Sequence, residues 1–161
     1  MKNTTCVFAG TFDPITNGHV FVVEKCLECF DKVVIAVGVN SDKSPLFSLE
    51  QRLDMIKQAF KDIKQVEVKA FDGMLVDFMK SEGITINVRG VRNNDDYKYE
   101  ANMASFNLDM YPEITSIFIP TPQSLAHVSS SAVRSIISYG AEIDKYVPES
   151  VVKAYNQAKR K

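Results

Sequence analysis

Two polar side chains, Thr11 and His19, lie where a strand is followed by an amphipathic helix. The preceding run 5–9 is short, apolar and β-prone, as expected of a parallel strand buried on both faces. Gly10 lets the chain turn without a side chain in the way, and the apolar spacing that follows predicts a helix beginning near Gly18. A hydroxyl and an imidazole at a helix N-terminus can both donate hydrogen bonds to phosphate, so this turn predicts an anion site.

Two further groups of side chains suit a phosphate-rich ligand. Ser129, Ser130 and Ser131 stand at the start of another predicted helix, where ordinary capping would need one hydroxyl. Arg89 and Arg92 flank the exit from an apolar strand, and a cation ending a buried strand is costly unless an anion meets it. These patterns predict a polyanion site, although the serines can also serve the helix alone.

A lysine in a predicted loop is a further candidate for the site. Lys43 lies in the loop after the second predicted strand, which leaves the same edge of the sheet as Thr11. Lys43 can also be an ordinary solvated loop lysine without a functional role. The two arginines can also serve the structure alone by pairing with Asp95 or Asp96. Both alternatives stay open on the sequence alone.

The elements that must position these residues alternate between strand and helix. The predicted strands are 5–9, 33–39, 66–71, 85–89 and 116–119. Helices separate them, among them one opened by a capping box at 48–51 and a long one over 94–110. This pattern predicts one doubly wound α/β domain over 1–161, with a five-stranded, largely parallel sheet and ligands at its carboxyl edge.

Composition excludes several classes of protein. The 161 residues are 45% hydrophobic and 24% charged, enough for one domain with a full core. A net charge of −1 gives no reason to expect nucleic acid or a membrane surface as a partner. No apolar run approaches the ~18 to 20 residues of a membrane span, and the first residues do not resemble a signal peptide, so we expect a cytoplasmic protein.

The three cysteines are too few and too uneven for a disulfide framework. Cys26 and Cys29 spell CxxC near the end of a predicted helix, whereas redox pairs sit at a helix N-terminus. A structural zinc would need two more ligands, with only Cys6, His19 and His127 to supply them. We therefore expect helix packing and predict no dedicated metal site, with metal or redox chemistry as the alternative.

Several motifs resemble one superfamily. Thr16-x-Gly18-His19 resembles the (H/T)xGH signature of the nucleotidyltransferases, and the longer stretch 10–19 is similar to the branch that adenylylates 4'-phosphopantetheine. The resemblance extends to RGxR at 89–92, YE at 99–100 and an ISSxxxR-type run at 128–134, and so covers essentially the whole chain. It implies a Rossmann-like fold, transfer of AMP from ATP to 4'-phosphopantetheine, Mg²⁺ carried with ATP, no covalent intermediate and a homohexamer.

The same resemblance implies roles for individual residues. It makes His19, Thr11, Lys43 and Arg92 catalytic. It assigns the acceptor to Thr11, Lys43, Leu75 and Arg89, with Leu75 at the pantetheine arm. It assigns the nucleotide to Gly10, Thr11, His19, Gly90, Val91, Arg92, Glu100, Leu125, Ala126, His127, Val128, Ser129, Ser130 and Ser131.

The sequence departs from the family pattern in two places. Val128 replaces an isoleucine, and the segment 125–127 lacks a tryptophan that some relatives carry, which leaves open how the adenine is packed. His127 can also be an ordinary loop histidine, and Glu100 an ordinary solvated charge. Two alternatives in function remain: a related enzyme that acts on nicotinate mononucleotide, and a nucleotide-binding module without activity.

Overall fold

The computed structural model describes residues 4–39 and 44–159. Within them, strands and helices alternate along the chain. The strands are β1 (Thr5–Gly10), β2 (Lys32–Val39), β3 (Val66–Asp72), β4 (Ile86–Val91) and β5 (Thr115–Pro120). The helices are α1 (Asn17–Cys29), α2 (Leu49–Ala59), α3 (Leu75–Glu82), α4 (Asn94–Met110), α5 (Ser130–Ser138) and α6 (Glu149–Lys159).

The strands form one parallel sheet in the order β3-β2-β1-β4-β5. The predicted fold class is confirmed, and β3 lies at an edge as its alternating pattern predicted. The chain winds outward from β1 in one direction and from β4 in the other, so the topological switch point lies between these two strands. Open sheets of this kind bind ligands at the carboxyl edge of that point, which here is the position of Gly10 and Arg89.

Apolar side chains on both faces of the sheet bury it between two layers of helices. Val22 and Cys26 of α1 pack on one face together with side chains from α2, α5 and α6. Val76 and Met79 of α3 pack on the other face, where Tyr111 at the end of α4 joins them. Within the described ranges, no helix has the length and apolar character that crossing a membrane requires.

The predicted capping box of α2 is confirmed. The Ser48 N–H donates to Gln51 Oε1 at 2.9 Å, and the Gln51 N–H donates to Ser48 Oγ at 3.2 Å. The long helix predicted over 94–110 is also confirmed, and Asn93 caps it by accepting the Asp96 N–H at 2.8 Å.

Two local predictions need correction. β4 does not end at Arg89: it runs through Gly90 and Val91, because these residues continue the ladder with β5. The packing predicted for the cysteine pair holds for Cys26, which is fully buried, but Cys29 is exposed.

Candidate active site

Two clefts open at the carboxyl edge of the sheet. The first has a volume of about 430 Å³ and lies between the ends of β1 and β4 and the start of α5. The second, of about 540 Å³, lies between the sheet, the start of α3 and one side of α4. They share five lining residues, Ala9, Gly10, Thr11, Arg89 and Glu100. A ligand in one cleft can therefore meet a ligand in the other beside Thr11 and Arg89.

His19 is the third residue of α1, and its ring takes part in capping that helix. The Thr16 backbone N–H donates to His19 Nδ1 at 3.0 Å, and Thr16 Oγ1 lies 3.1 Å from the same atom. Because Nδ1 accepts a hydrogen bond, the proton of the neutral ring is on Nε2. The spacing of threonine and histidine in the motif thus fixes the tautomer that can donate to a ligand in the first cleft.

The protonation state of His19 follows from its surroundings. Burial, together with the positive charges of Arg89 and Arg92, lowers the pKa of His19 to about 4, and burial makes the largest contribution. The ring also lies edge-on to Phe12, at a centroid distance of 5.0 Å, and tilted against Phe8, at 6.1 Å. At neutral pH His19 is therefore an uncharged donor held against an aromatic wall.

Phe12 shapes the turn between β1 and α1. Its φ of 49° lies in the left-handed region, which bulky residues rarely adopt. Its buried ring covers Gly10, where a Cβ would lie 3.1 Å from the ring. This contact explains why glycine ends β1, and it leaves the backbone of Gly10 and Thr11 open to the cleft.

Arg89 lies at the junction of the two clefts and is paired with Glu100 of α4. Its Nε and Nη2 donate to the two carboxylate oxygens at 2.8 and 2.7 Å, and its Nη1 donates to the carbonyl of Ala9. Such a bidentate pair fixes the plane of the guanidinium. The partner of Arg89 is thus neither of the aspartates that the sequence suggested.

Arg92 pairs with Asp96 in the first turn of α4. Its Nε donates to Asp96 Oδ2 at 2.7 Å and its Nη2 to Oδ1 at 3.2 Å. These hydrogen bonds hold the pKa of Asp96 below its ordinary value. Pairing with Asp96, one of the two alternatives that the sequence left open for Arg92, is therefore observed. The guanidinium of Arg92 still lines the first cleft.

The three serines do different work at the start of α5. Ser129 Oγ caps the helix by accepting the Ala132 N–H at 3.1 Å, and Ser130 Oγ donates to the Pro14 carbonyl at 2.8 Å. Ser131 Oγ accepts a hydrogen bond from Arg134 at 3.2 Å. All three hydroxyls therefore make hydrogen bonds within the fold, and Ser129, Ser130 and Ser131 place the N-terminus of α5 on the wall of the first cleft.

Sequence reasoning missed three charged residues that line the first cleft, Asp13, Arg52 and Arg134. Buried Asp13 accepts the N–H groups of Leu46 and Phe47 at 2.8 and 2.9 Å, and Arg134 donates to its backbone carbonyl at 2.8 Å. Arg134 could have been found from the sequence, because it is the arginine that ends the motif at 128–134.

Arg52 ties together the loops around the cleft. It is 4% exposed, and it donates to the carbonyls of Thr11, Phe47 and Gly38 at 2.7, 3.2 and 3.4 Å. Its position in the apolar stripe of α2 gave no signal in the sequence, because its partners are backbone carbonyls from distant segments.

The second cleft is more apolar than the first. Leu75, predicted at the pantetheine arm, lies on its wall. Met74, Met103 and Met110 provide flexible apolar surface around it. The cleft suits a long, uncharged chain with a few polar groups.

The structure brings most of the predicted site residues together. The first cleft is lined by Gly10, Thr11, His19, Arg89, Gly90, Arg92, Glu100, Val128, Ser129, Ser130 and Ser131. Val91, Leu125, Ala126 and His127 lie outside both clefts, and His127 is exposed with its ring 6.1 Å from that of Tyr146. Lys43 lies outside the described residues.

Known proteins resemble the chain in sequence and in fold. The cytidylyltransferase-like family model matches residues 7–136. A phosphopantetheine adenylyltransferase from Heliobacterium modesticaldum is 40% identical over 149 residues, which cover 92% of this chain and 89% of the relative. One from Shouchella clausii is 37% identical over 161 residues, which cover 100% of both chains.

A solved structure shares the fold. It is a bifunctional NMN adenylyltransferase/ADP ribose pyrophosphatase from Francisella tularensis, with a TM-score of 0.75 and 19% sequence identity. The match covers 98% of this chain and 49% of that one. At this identity the likeness concerns the fold alone.

Proposed function

The chain belongs to the cytidylyltransferase-like family and within it to the phosphopantetheine adenylyltransferases, and we propose that it transfers AMP from ATP to 4'-phosphopantetheine. The products are dephospho-coenzyme A and pyrophosphate, in a step of coenzyme A synthesis. The observation that carries this proposal is the meeting of two unlike clefts. One is lined by cations and a helix N-terminus, the other by apolar side chains, and Thr11, Arg89 and Glu100 belong to both.

The reaction is an in-line displacement at the α-phosphorus of ATP. An oxygen of the acceptor phosphate forms the new P–O bond, while the bond to the pyrophosphate breaks and its electron pair leaves with the pyrophosphate. His19 Nε2–H and the Thr11 hydroxyl donate to the phosphate being transferred, where negative charge builds up. The rate enhancement comes from positioning and charge stabilisation, since no protein nucleophile is required.

The cations divide between the two substrates. Arg89 and Lys43 bind the acceptor phosphate, and Leu75 contacts the pantetheine arm. Arg92, Arg134 and the N-terminus of α5 bind the polyphosphate of ATP, with Glu100 also on the nucleotide side. Arg89 must then exchange part of its pairing with Glu100 for the acceptor when the substrates enter.

Mg²⁺ fits this cleft as a companion of ATP. The carboxylates that line it are engaged, since Asp13 accepts two backbone N–H groups, and Asp96 and Glu100 pair with arginines. Phosphate oxygens and water are then the ligands that Mg²⁺ prefers. When bound, the ion would neutralise charge on the polyphosphate, while Arg92, Arg134 and the N-terminus of α5 would orient the phosphates.

We also propose a homohexamer in the cytoplasm. One side of α4 carries apolar side chains that remain exposed in the single folded chain. They are Tyr99, Met103, Phe106 and Met110, which are 64, 38, 60 and 37% exposed. All but Phe106 also line the second cleft, so Phe106 is the member of this set whose exposure the cleft does not explain. Apolar surface of this kind on one helix is typical of a subunit interface.

The test is a panel of acceptors in an assay of pyrophosphate release from MgATP. We expect turnover with 4'-phosphopantetheine, and none with pantetheine, which lacks both the anionic anchor and the nucleophile. Turnover with nicotinate mononucleotide alone would reassign the acceptor. Nucleotide binding without turnover on any acceptor would contradict an enzymatic role.

A further inference from the structure

Asn87 is a polar residue in the middle of an apolar strand. It lies in β4 with Val88 next to it and Val7 of β1 as its register partner, and it is 2% exposed. Among the described residues, its Oδ1 has no hydrogen-bond partner. Leaving a buried acceptor unpaired typically costs more than replacing it by an apolar group of the same shape, so the fold itself gains nothing from this asparagine.

A second unpaired group lies beside it. Ser116 of β5 is the register partner of Asn87 on the other side, and its Oγ is also buried and without a partner in the described residues. The two side chains do not satisfy each other. Asn87 lines the second cleft, whereas Ser116 does not.

The position of Asn87 relative to Arg89 limits what can reach it. Side chains two residues apart on a strand share a face and lie about 6.6 Å apart, and Arg89 of that face pairs with Glu100 of α4. In 4'-phosphopantetheine the first amide is roughly five bonds from the phosphorus, about 6 Å when extended. A phosphate held at Arg89 therefore brings this amide to the depth of Asn87.

We propose that the side-chain amide of Asn87 hydrogen-bonds to the first amide of the acceptor, the one nearest the phosphate. This inference rests on the proposed function and assigns to Asn87 the recognition of the pantetheine arm. Asn87 is then a specificity residue, because it distinguishes an arm that carries an amide from a purely apolar one.

The experiment compares wild type with Asn87→Leu on two acceptors. One is 4'-phosphopantetheine, and the other is an analogue in which two methylene groups replace the first amide. For the wild type we expect the acceptor Kd, measured by calorimetry, to rise about 5- to 100-fold on losing the amide. Asn87→Leu should bind both acceptors equally weakly, with an unchanged Kd for ATP and an unchanged or raised Tm.

Ser116→Ala is the matched control, since it removes the neighbouring unpaired group from the same face without changing the cleft. It should leave both acceptor affinities as in wild type. An equal loss in both variants, or a lowered Tm with weaker ATP binding in Asn87→Leu, would mean that Asn87 acts through packing and would overturn the inference.

The same data separate this inference from the proposed function. A wild type that binds and adenylylates 4'-phosphopantetheine while Asn87→Leu still discriminates the analogue would overturn the role of Asn87 alone. That result would indicate that a residue other than Asn87 contacts the amide. A wild type that neither binds nor adenylylates the acceptor would overturn both.

Discussion

At the scale of single residues, the imidazole of His19 both caps α1 and can donate a hydrogen bond to a ligand. His19 Nδ1 accepts the Thr16 N–H, and this leaves Nε2–H to donate into the cleft. Burial and the nearby charges of Arg89 and Arg92 keep the ring neutral, since together they lower the pKa of His19 to about 4. The two tasks belong to different ring atoms, so substitutions can separate them.

Removing the imidazole should affect turnover far more than ATP binding. His19→Ala should lower kcat about 10²- to 10³-fold, the usual effect of losing one donor to a charge that develops in the transition state. His19→Asn should lose turnover equally but keep more of the Tm, because its Oδ1 lies close to the position of Nδ1 and can accept the Thr16 N–H. Kinetics and thermal melts of the pair provide the measurement. Turnover within a few-fold of wild type in His19→Ala would contradict the role of this residue.

The low pKa of His19 predicts a pH dependence of stability. The unfolded chain takes up a proton on this ring near pH 6.5, whereas the folded chain does so only near pH 4. Since the unfolded state binds more protons in between, the free energy of unfolding should fall as the pH drops from about 6.5 to 4. Urea titrations across this range should show a shallower fall for His19→Asn, and equal slopes would contradict the neutral ring.

At the scale of elements, the sequence predicted those helix boundaries that are determined by contacts between residues close together in the chain. The capping box at Ser48 and the start of α4 were readable, because their partners lie within four residues. The end of β4 could not be predicted in this way. A glycine in sequence favours a turn, and Gly90 stays in the strand because it pairs with Ile119 of β5. Arg52 shows the same limit, because its carbonyl partners come from separate loops.

Gly90 has a packing reason that a paired substitution can test. A Cβ there would lie 2.8 Å from Val22 Cγ2 of α1, and valine is stiff at χ1. Gly90→Ala should therefore destabilise the fold by about 1 to 3 kcal/mol in urea unfolding. Adding Val22→Ala removes the clashing methyl group, so the double variant should lose less than the sum of the two single losses. Strict additivity would show that the residues do not interact.

At the scale of the whole molecule, the order of the strands determines where chemistry can occur. Because β1 and β4 are neighbours, segments far apart in sequence meet at one edge, with Thr11 and Arg89 side by side. The predicted fold class was sufficient to place the ligands at the carboxyl edge of the sheet. The pairing of Arg89 with Glu100, and the division into two clefts, depend on how α4 packs against β4, which no single segment of the sequence encodes.

The exposed side of α4 predicts an effect on assembly. Phe106 is 60% exposed, so Phe106→Glu should leave the fold of the subunit intact while introducing a charge into the proposed interface. Light scattering should then report a smaller particle than wild type at the same concentration. Glu113→Gln, an exposed change outside α4, serves as control, and an unchanged mass for Phe106→Glu would place the interface elsewhere.

The ion pairs of the first cleft have a consequence for the charge of the empty site. Arg89 and Arg92 are each paired with a carboxylate, and Arg134 Nη1 lies 4.0 Å from Asp13 Oδ2. Four arginines and three carboxylates line the described part of the cleft, so the side chains described there leave a net charge of about +1. A nucleotide polyanion that enters must therefore bring most of its own counterions or displace carboxylates from their arginines.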